Sequence, residues 1–368
     1  MPSPRASTCA DPSPIAAPLL EWHARGGRHD LPWQTDRTPY RVWVSEIMLQ
    51  QTQVSTVKPY YERFMRRFPD VRTLAAADVD EVLHLWSGLG YYARARNLHR
   101  AAGLICGEHG AQLPRSFAAL AQLPGIGRST AGAILALSCN ERFPILDGNV
   151  RRVLTRYFGA AGGESGAAAL RRLWELSERC TPAARVAEYT QAVMDLGATV
   201  CVRARPLCQL CPLSAGCFAH RTGCQDQLPA ARRARERRTR SVFMVVARNE
   251  NGSVLLERRP DSGVWGGLWC LPQFDTASAA QTFIRHSLAA SGSVPQRLNA
   301  VEHAFTHFSL IIRPLLVNCA GAGAVMEEGA SLWYNIRAPA RIGLPAPIAT
   351  LLAGLSRGSM FEPPVAHS

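Results

Sequence analysis

The chain has 368 residues, enough for about two or three domains with cores of their own. Its net charge is +13, and residues 241–368 hold nine arginines against eight acidic residues, so nearly all of that charge lies in residues 1–240, where a polyanion would be met. No apolar run approaches the roughly 18 residues needed to span a bilayer, so no membrane-spanning helix and no membrane partner are expected.

Residues 1–14 read as a disordered, Pro-rich tail without the apolar core of a signal peptide. Thr38 can cap a helix starting at Pro39, after which Tyr40, Trp43, Val44 and Ile47 recur at helical spacing. Glu46 borders that stripe, one turn from Trp43 and one from Gln50. A partly apolar cleft there would raise its pKa and let it hold a proton near neutrality, although a glutamate so placed is more often a solvated edge residue. Ser116 caps an alanine-rich helix, and Leu123-Pro124-Gly125-Ile126-Gly127-Arg128-Ser129 then leads into a helical run over Thr130–Cys139. Gly125 and Gly127 let the backbone approach another molecule closely, and free N–H groups at the start of the second helix suit a phosphate. This is the helix-hairpin-helix signature of sequence-independent DNA binding, though a Gly-x-Gly turn alone also fits a plain tight turn. In Pro144-Ile145-Leu146-Asp147-Gly148-Asn149-Val150, Asp147 precedes a helix expected over Asn149–Phe158, whose positive end favours an ionised carboxylate.

Cys201, Cys208, Cys211 and Cys217 follow the pattern C-x6-C-x2-C-x5-C, which is spacing for a metal site and not for a disulfide framework. Thiolates select zinc or iron–sulfur clusters, and spacing alone leaves that choice open. The remaining cysteines (Cys9, Cys106, Cys139, Cys180, Cys224, Cys270 and Cys319) share no spacing and read as reduced thiols of a cytoplasmic protein.

Hairpin, Pro144–Val150 segment and cysteines together resemble the endonuclease III superfamily of helix-hairpin-helix DNA glycosylases. Within it, Ser45-Glu46-Ile47-Met48-Leu49-Gln50-Gln51-Thr52-Gln53-Val54 is similar to the MutY-type, adenine-specific branch. The resemblance covers about residues 15–360 and implies a multidomain protein: an all-α helix-hairpin-helix glycosylase region with an iron–sulfur cluster loop, then an α/β Nudix-like domain. The expected spans are 15–225 for the helical catalytic region, with a six-helix-type subdomain at about 34–140 and an iron–sulfur subdomain of about 15–33 plus 141–225. A basic linker over 226–240 and an 8-oxoguanine-recognition domain over 241–360 follow.

Further implications concern single residues. The four cysteines would hold one 4Fe-4S cluster. Glu46 would protonate adenine and later handle the attacking water, Asp147 would stabilise or transiently bond the sugar, and Asn149 would position it. Those roles need unlike carboxyls, and the two environments are expected to push the pKa values apart, Glu46 towards its acid and Asp147 towards its anion. A base within a duplex must be flipped out first. Gln51 and Tyr91, the latter in Gly88-Leu89-Gly90-Tyr91-Tyr92-Ala93-Arg94-Ala95-Arg96-Asn97, are the expected wedges, Gly125, Gly127 and Ser129 contact DNA, and Trp33 and Gln191 line the adenine pocket. The implied substrate is double-stranded DNA with adenine opposite 8-oxoguanine or guanine, served by a monomer of the bacterial cytoplasm that joins the nucleoid when engaged.

Composition adds one point of its own. Forty arginines accompany a single lysine, Lys58, and a guanidinium that stays protonated cannot form the Schiff base that backbone nicking by β-elimination requires. Where lyase relatives carry lysine after the hairpin, this chain has Ser129, so the reaction is expected to stop at the abasic site.

After the arginines of the linker, Ser241–Arg248 and Ser253–Arg259 alternate around Asn249–Gly252, a β-hairpin signal. Ser262-Gly263-Val264-Trp265-Gly266-Gly267-Leu268-Trp269-Cys270-Leu271-Pro272-Gln273-Phe274 resembles the Nudix-like domain of the same branch. No acidic residue lies between Asp275 and Glu302, so the magnesium-holding glutamates of active Nudix hydrolases are missing there and the domain is expected to bind, not hydrolyse. The resemblance places 8-oxoguanine recognition at Phe305, Thr306 and His307, with threonine where serine is commoner. A pyrimidine glycosylase of the endonuclease III type, and a non-catalytic iron–sulfur DNA-binding protein needing neither Glu46 nor Asp147, are the competing readings.

Overall fold

The computed structural model describes residues 13–160, 166–230, 237–288, 294–305, 307–319 and 331–357. Residues 1–12 of the expected tail, Arg232, Arg233 and Arg235 of the linker, and Thr306 lie outside them. The chain divides into two compact units, Met1–Ala75 with Arg100–Arg233, and Ala76–His99 with Ala234–Ser368. Residues 76–99, part of the span read as one helical subdomain, thus group with the carboxy-terminal half.

In chain order the helices are α1 (Ala16–Gly26), α2 (Pro39–Leu49), α3 (Val54–Arg67), α4 (Val71–Ala75), α5 (Val79–Trp86), α6 (Ala93–Glu108), α7 (Phe117–Gln122), α8 (Arg128–Cys139), α9 (Gly148–Phe158), α10 (Ala167–Cys180), α11 (Val186–Thr199), α12 (Phe218–Arg221), α13 (Ala277–Ser287) and α14 (Ala346–Ser356). The predicted caps form: Thr38 Oγ1 accepts from Arg41 N at 3.3 Å, and Ser116 Oγ from Ala119 N at 3.4 Å. In the first unit α8 is buried from Ala131 through Leu137, without a polar face. Such a helix must be covered all round, and α2, α7 and α11 pack on it, while α11 also meets α1 and α9. Gly132 shows how close this packing is, since a Cβ there would lie 2.7 Å from the Pro144 carbonyl oxygen, at the entrance to the Asp147 segment.

The second unit is built on strands β1 (Arg238–Arg248), β2 (Ser253–Arg258), β3 (Trp269–Cys270), β4 (Gln273–Phe274), β5 (Gln296–Arg297), β6 (Val301–Ala304), β7 (Phe308–Asn318) and β8 (Ser331–Asn335). Its sheet runs β3-β2-β1-β7-β5, with β4 on β1, β6 on β7 and β8 on β2. The predicted hairpin is present: β1 and β2 are antiparallel, and Asn249 Oδ1 closes the turn on Ser253 N at 2.9 Å. β1 starts three residues earlier than predicted, inside the basic stretch, because Arg238, Thr239 and Arg240 pair in parallel with Phe308, Ser309 and Leu310. Backbone ladder bonds there outweigh the tendency of clustered arginines to stay solvated. Ala280, Ile284 and Leu288 cover Val245, Leu255, Leu315 and Val317 on one face of the sheet.

Residues 76–99 are held in this unit by specific contacts. Asp80 pairs with Arg258 at 3.1 Å and accepts from Trp269 Nε1 at 2.9 Å, and Leu83 packs where Gly343 leaves room. Ser87 and Tyr92 each donate a hydroxyl to the Leu344 carbonyl at 3.3 Å, while Arg96 donates to the carbonyls of Gly266 and Asp261. None of the described cysteines is in a disulfide, and among the described residues no helix is long and apolar enough to cross a membrane.

Candidate active site

Glu46 is half-buried on α2, flanked by the buried Trp43, Val44, Ile47 and Met48. Burial, and then the negative charge of Asp147, push its carboxyl up to about 8. Asp147 is the N-cap of α9, its Oδ1 accepting from Val150 N at 2.7 Å. The segment before it is fastened to the hairpin, since Ser129 Oγ accepts from Leu146 N at 2.9 Å. Gln50, the C-cap of α2, reaches the same hairpin at Gly125 O and Thr130 Oγ1, 3.4 Å each.

One expectation about this pair is corrected. Asp147 was expected to be driven towards its anion by the helix end, but burial raises its pKa, outweighing the Val150 N–H, Arg152 and Asn149, which act in the opposite sense. Both carboxyls therefore bind protons more tightly than in water. They still differ in kind, because Val150 N–H, Arg152 and Asn149 favour the Asp147 anion, whereas burial and the Asp147 charge both favour the Glu46 acid.

Asn149 is the second residue of α9, its Oδ1 accepting from Arg152 at 2.7 Å. A Cβ on Gly197 of α11 would lie 2.6 Å from the Asn149 Cβ, so the two helices touch backbone to backbone here. Arg152 was not singled out from the sequence, although it lies three residues from Asn149 and thus on the same helix face. It also donates to Cys201 O at 2.6 Å and Gly197 O at 2.5 Å.

The four cysteines line one pocket, with Arg156, Leu207 and His220 among its other walls. Burial and then their mutual charges raise the Cys208 thiol, and the Cys211 thiol rises to about 11 for the same leading reason. Arg156 is 2% exposed and places its guanidinium 3.4 Å from Cys201 Sγ, while donating to the carbonyls of Val202, Arg203 and Leu228. Among the described residues no three His, Cys, Asp or Glu side chains converge on a point suited to a single ion.

Gln51 is exposed at φ +57°, and in the second unit Tyr91 is 46% exposed at φ +50°. Left-handed backbone at two exposed non-glycine residues is costly and concentrates at functional sites. Gly125 has φ +81°, and Gly127 is the exposed N-cap of α8. Trp33 is buried edge-on against Tyr61, and Gln191 is buried on α11. In the second unit Phe305 stacks on Phe308, with centroids 4.6 Å apart, in a cluster with Trp265 and His303, while His307 is exposed.

Comparison with known proteins gives this geometry its context. Residues 44–179 match the HhH-GPD superfamily of base excision DNA repair proteins, and residues 243–354 match the NUDIX domain. A thermostable thymine-DNA glycosylase structure superposes on 56% of this chain and 95% of its own with a TM-score of 0.52 at 27% identity. The first unit is accordingly that of a helix-hairpin-helix DNA repair glycosylase. Curated relatives narrow the class: the chain is 36% identical to the adenine DNA glycosylase of Buchnera aphidicola subsp. Acyrthosiphon pisum over 92% of its length and 97% of the relative's. It is also 36% identical to that of Rattus norvegicus, covering 83% and 70%. The chain belongs to the adenine DNA glycosylase family. It is a base-excision-repair enzyme that hydrolyses N-glycosidic bonds.

Proposed function

We propose that the enzyme releases adenine mispaired with 8-oxoguanine or guanine and leaves the DNA backbone intact. The observation that carries this reading is the Glu46–Asp147 pair. Two interacting carboxyls titrate as a unit, and since the contacts that favour an anion gather on Asp147, the shared proton rests on Glu46 at neutral pH. Glu46 then delivers that proton to the leaving adenine, and the Asp147 anion faces the sugar as it becomes an oxocarbenium ion. Asn149, held by Arg152, positions the sugar. After departure of the base, Glu46 is a carboxylate able to deprotonate the attacking water.

The strained, exposed Gln51 and Tyr91 fit wedges that fill the stack behind a flipped base, and Gly125, Gly127 and Ser129 fit a phosphate cradle. Trp33 and Gln191 suit walls of the adenine pocket. Phe305, with Thr306 and His307 after it, suits recognition of 8-oxoguanine. The four cysteines line one pocket, and four thiolates suit a 4Fe-4S cluster taking one per iron. Bound there, the cluster ties the 201–217 loop together, and no step of the reaction passes through it.

The test is strand-specific base release from duplexes carrying adenine opposite 8-oxoguanine, adenine opposite guanine, or a pyrimidine lesion. Adenine release without nicking before alkali or heat is expected, and release of pyrimidines with adenine spared would sink the reading. Efficient borohydride trapping would overturn the monofunctional assignment, whereas Ser129→Lys should gain some trapping. Iron and sulfide in protein made under anaerobic, iron-replete conditions check the cluster, and stoichiometric zinc would refute it.

A further inference from the structure

Asp195 on α11 is wholly buried, yet its side chain belongs to none of the roles above. Its carboxylate accepts from Arg28 N at 2.8 Å, from the Arg28 guanidinium at 2.9 and 2.6 Å, and from Gln191 Nε2 at 2.9 Å, with His23 Nε2 at 3.5 Å. Burial alone would raise its pKa, but the close approach of His23 and the hydrogen bonds and charge of Arg28 outweigh that and hold it below the usual carboxylate range. An ionised carboxylate only accepts hydrogen bonds, so the amide of Gln191 must turn its NH2 inward. Its Oε1 is then left at the other end of the amide, facing away from Asp195.

We infer that Asp195 is a positioning residue that fixes which way round the Gln191 amide faces, so that the adenine pocket presents an acceptor and selects a base with an exocyclic amine. Adenine offers a donor at N6, whereas guanine offers an acceptor at the equivalent O6. An outward Oε1 attracts the first and repels the second. The same carboxylate grips Arg28, and Gln34 closes the 28–34 segment by bonding Arg28 O and Leu31 N, so Trp33 is carried on the loop that Asp195 anchors. This inference rests on the proposed placement of Gln191 in the adenine pocket.

The test compares single-turnover release of adenine and of unsubstituted purine, which lacks the amine, each opposite 8-oxoguanine. Asp195→Asn lets the residue at 195 donate and Gln191 turn round, so the adenine-to-purine rate ratio should fall at least about tenfold relative to the parent enzyme. Gln191→Met should lower the ratio similarly, and the double variant should lower it no further. A folded D195N protein with an unchanged ratio overturns the inference, because a merely structural role would slow both bases alike. Should D195N fail to fold, Gln191→Glu decides: its carboxyl must donate a proton to Asp195 and turn its carbonyl oxygen outward, keeping the ratio. A Q191E ratio as low as that of Q191M overturns the inference. A parent enzyme that releases no adenine overturns the functional reading itself, while one that does so with the ratio unmoved by D195N overturns the inference alone.

Discussion

A carboxyl held near pH 8 stores free energy that the fold must supply. Glu46 rises from 4.5 to about 8. Because the folded protein binds this proton more tightly, the contribution is fully present below pH 4.5 and is lost as pH rises towards 8. Glu46→Gln removes the liability, so the variant should be more stable than the parent at pH 8 by up to ~3 kcal/mol, with little difference at pH 4, as denaturant melts at both pH values would show. The same variant should lose base release while still binding the mispaired duplex, since only the proton is gone. Single-turnover rates of the parent should decline as pH passes about 8, where Glu46 deprotonates. Glu46 was singled out in the sequence by the family resemblance of the Ser45–Val54 string, since its apolar flank alone suits a solvated edge residue as well. The rise at Asp147 was not, because the cap pointed the other way and the amount of burial depends on residues such as Leu146 and Ser129 being drawn together across the hairpin.

At the scale of elements, α9 connects chemistry to the cysteine loop: Asp147 caps it, Asn149 and Arg152 share a face, and Arg156 reaches Cys201 Sγ. Its position is set by α11, where Gly197 admits the Asn149 Cβ. Gly197→Ala must push α9 away, and we expect a loss of about 1–3 kcal/mol in stability together with slower base release, measurable by thermal melting and single-turnover kinetics. Cys208→Ala should instead loosen the 201–217 loop first, weakening DNA binding and iron content while Glu46 and Asp147 keep their places. Helix starts at Pro39 and Phe117, and the β1–β2 turn, were legible because caps and turns are written in a few adjacent residues. The early start of β1 was not, because its partner β7 lies some seventy residues further on and overrides the local run of arginine.

For the whole molecule, order along the chain and membership of a unit part company at residues 76–99. Nothing local marks that segment, since the decisive pair, Asp80 and Arg258, is separated by 178 positions. Asp80→Ala removes this ion pair and the acceptor of the buried Trp269 Nε1 together. A loss on the order of 1–3 kcal/mol from the second unit is expected, seen as a lower melting temperature and a shift in tryptophan emission.

The same separation has a consequence during synthesis. At roughly 5–20 residues per second a ribosome needs about 10–35 s to travel from Asp80 to Arg258. For that interval α5 is outside the tunnel with Asp80 still lacking Arg258 and Leu83 still lacking Gly343. A nascent chain halted before residue 258 should therefore engage chaperones and be cut by protease near α5, and it should become resistant only once the strands that receive Asp80 have left the ribosome.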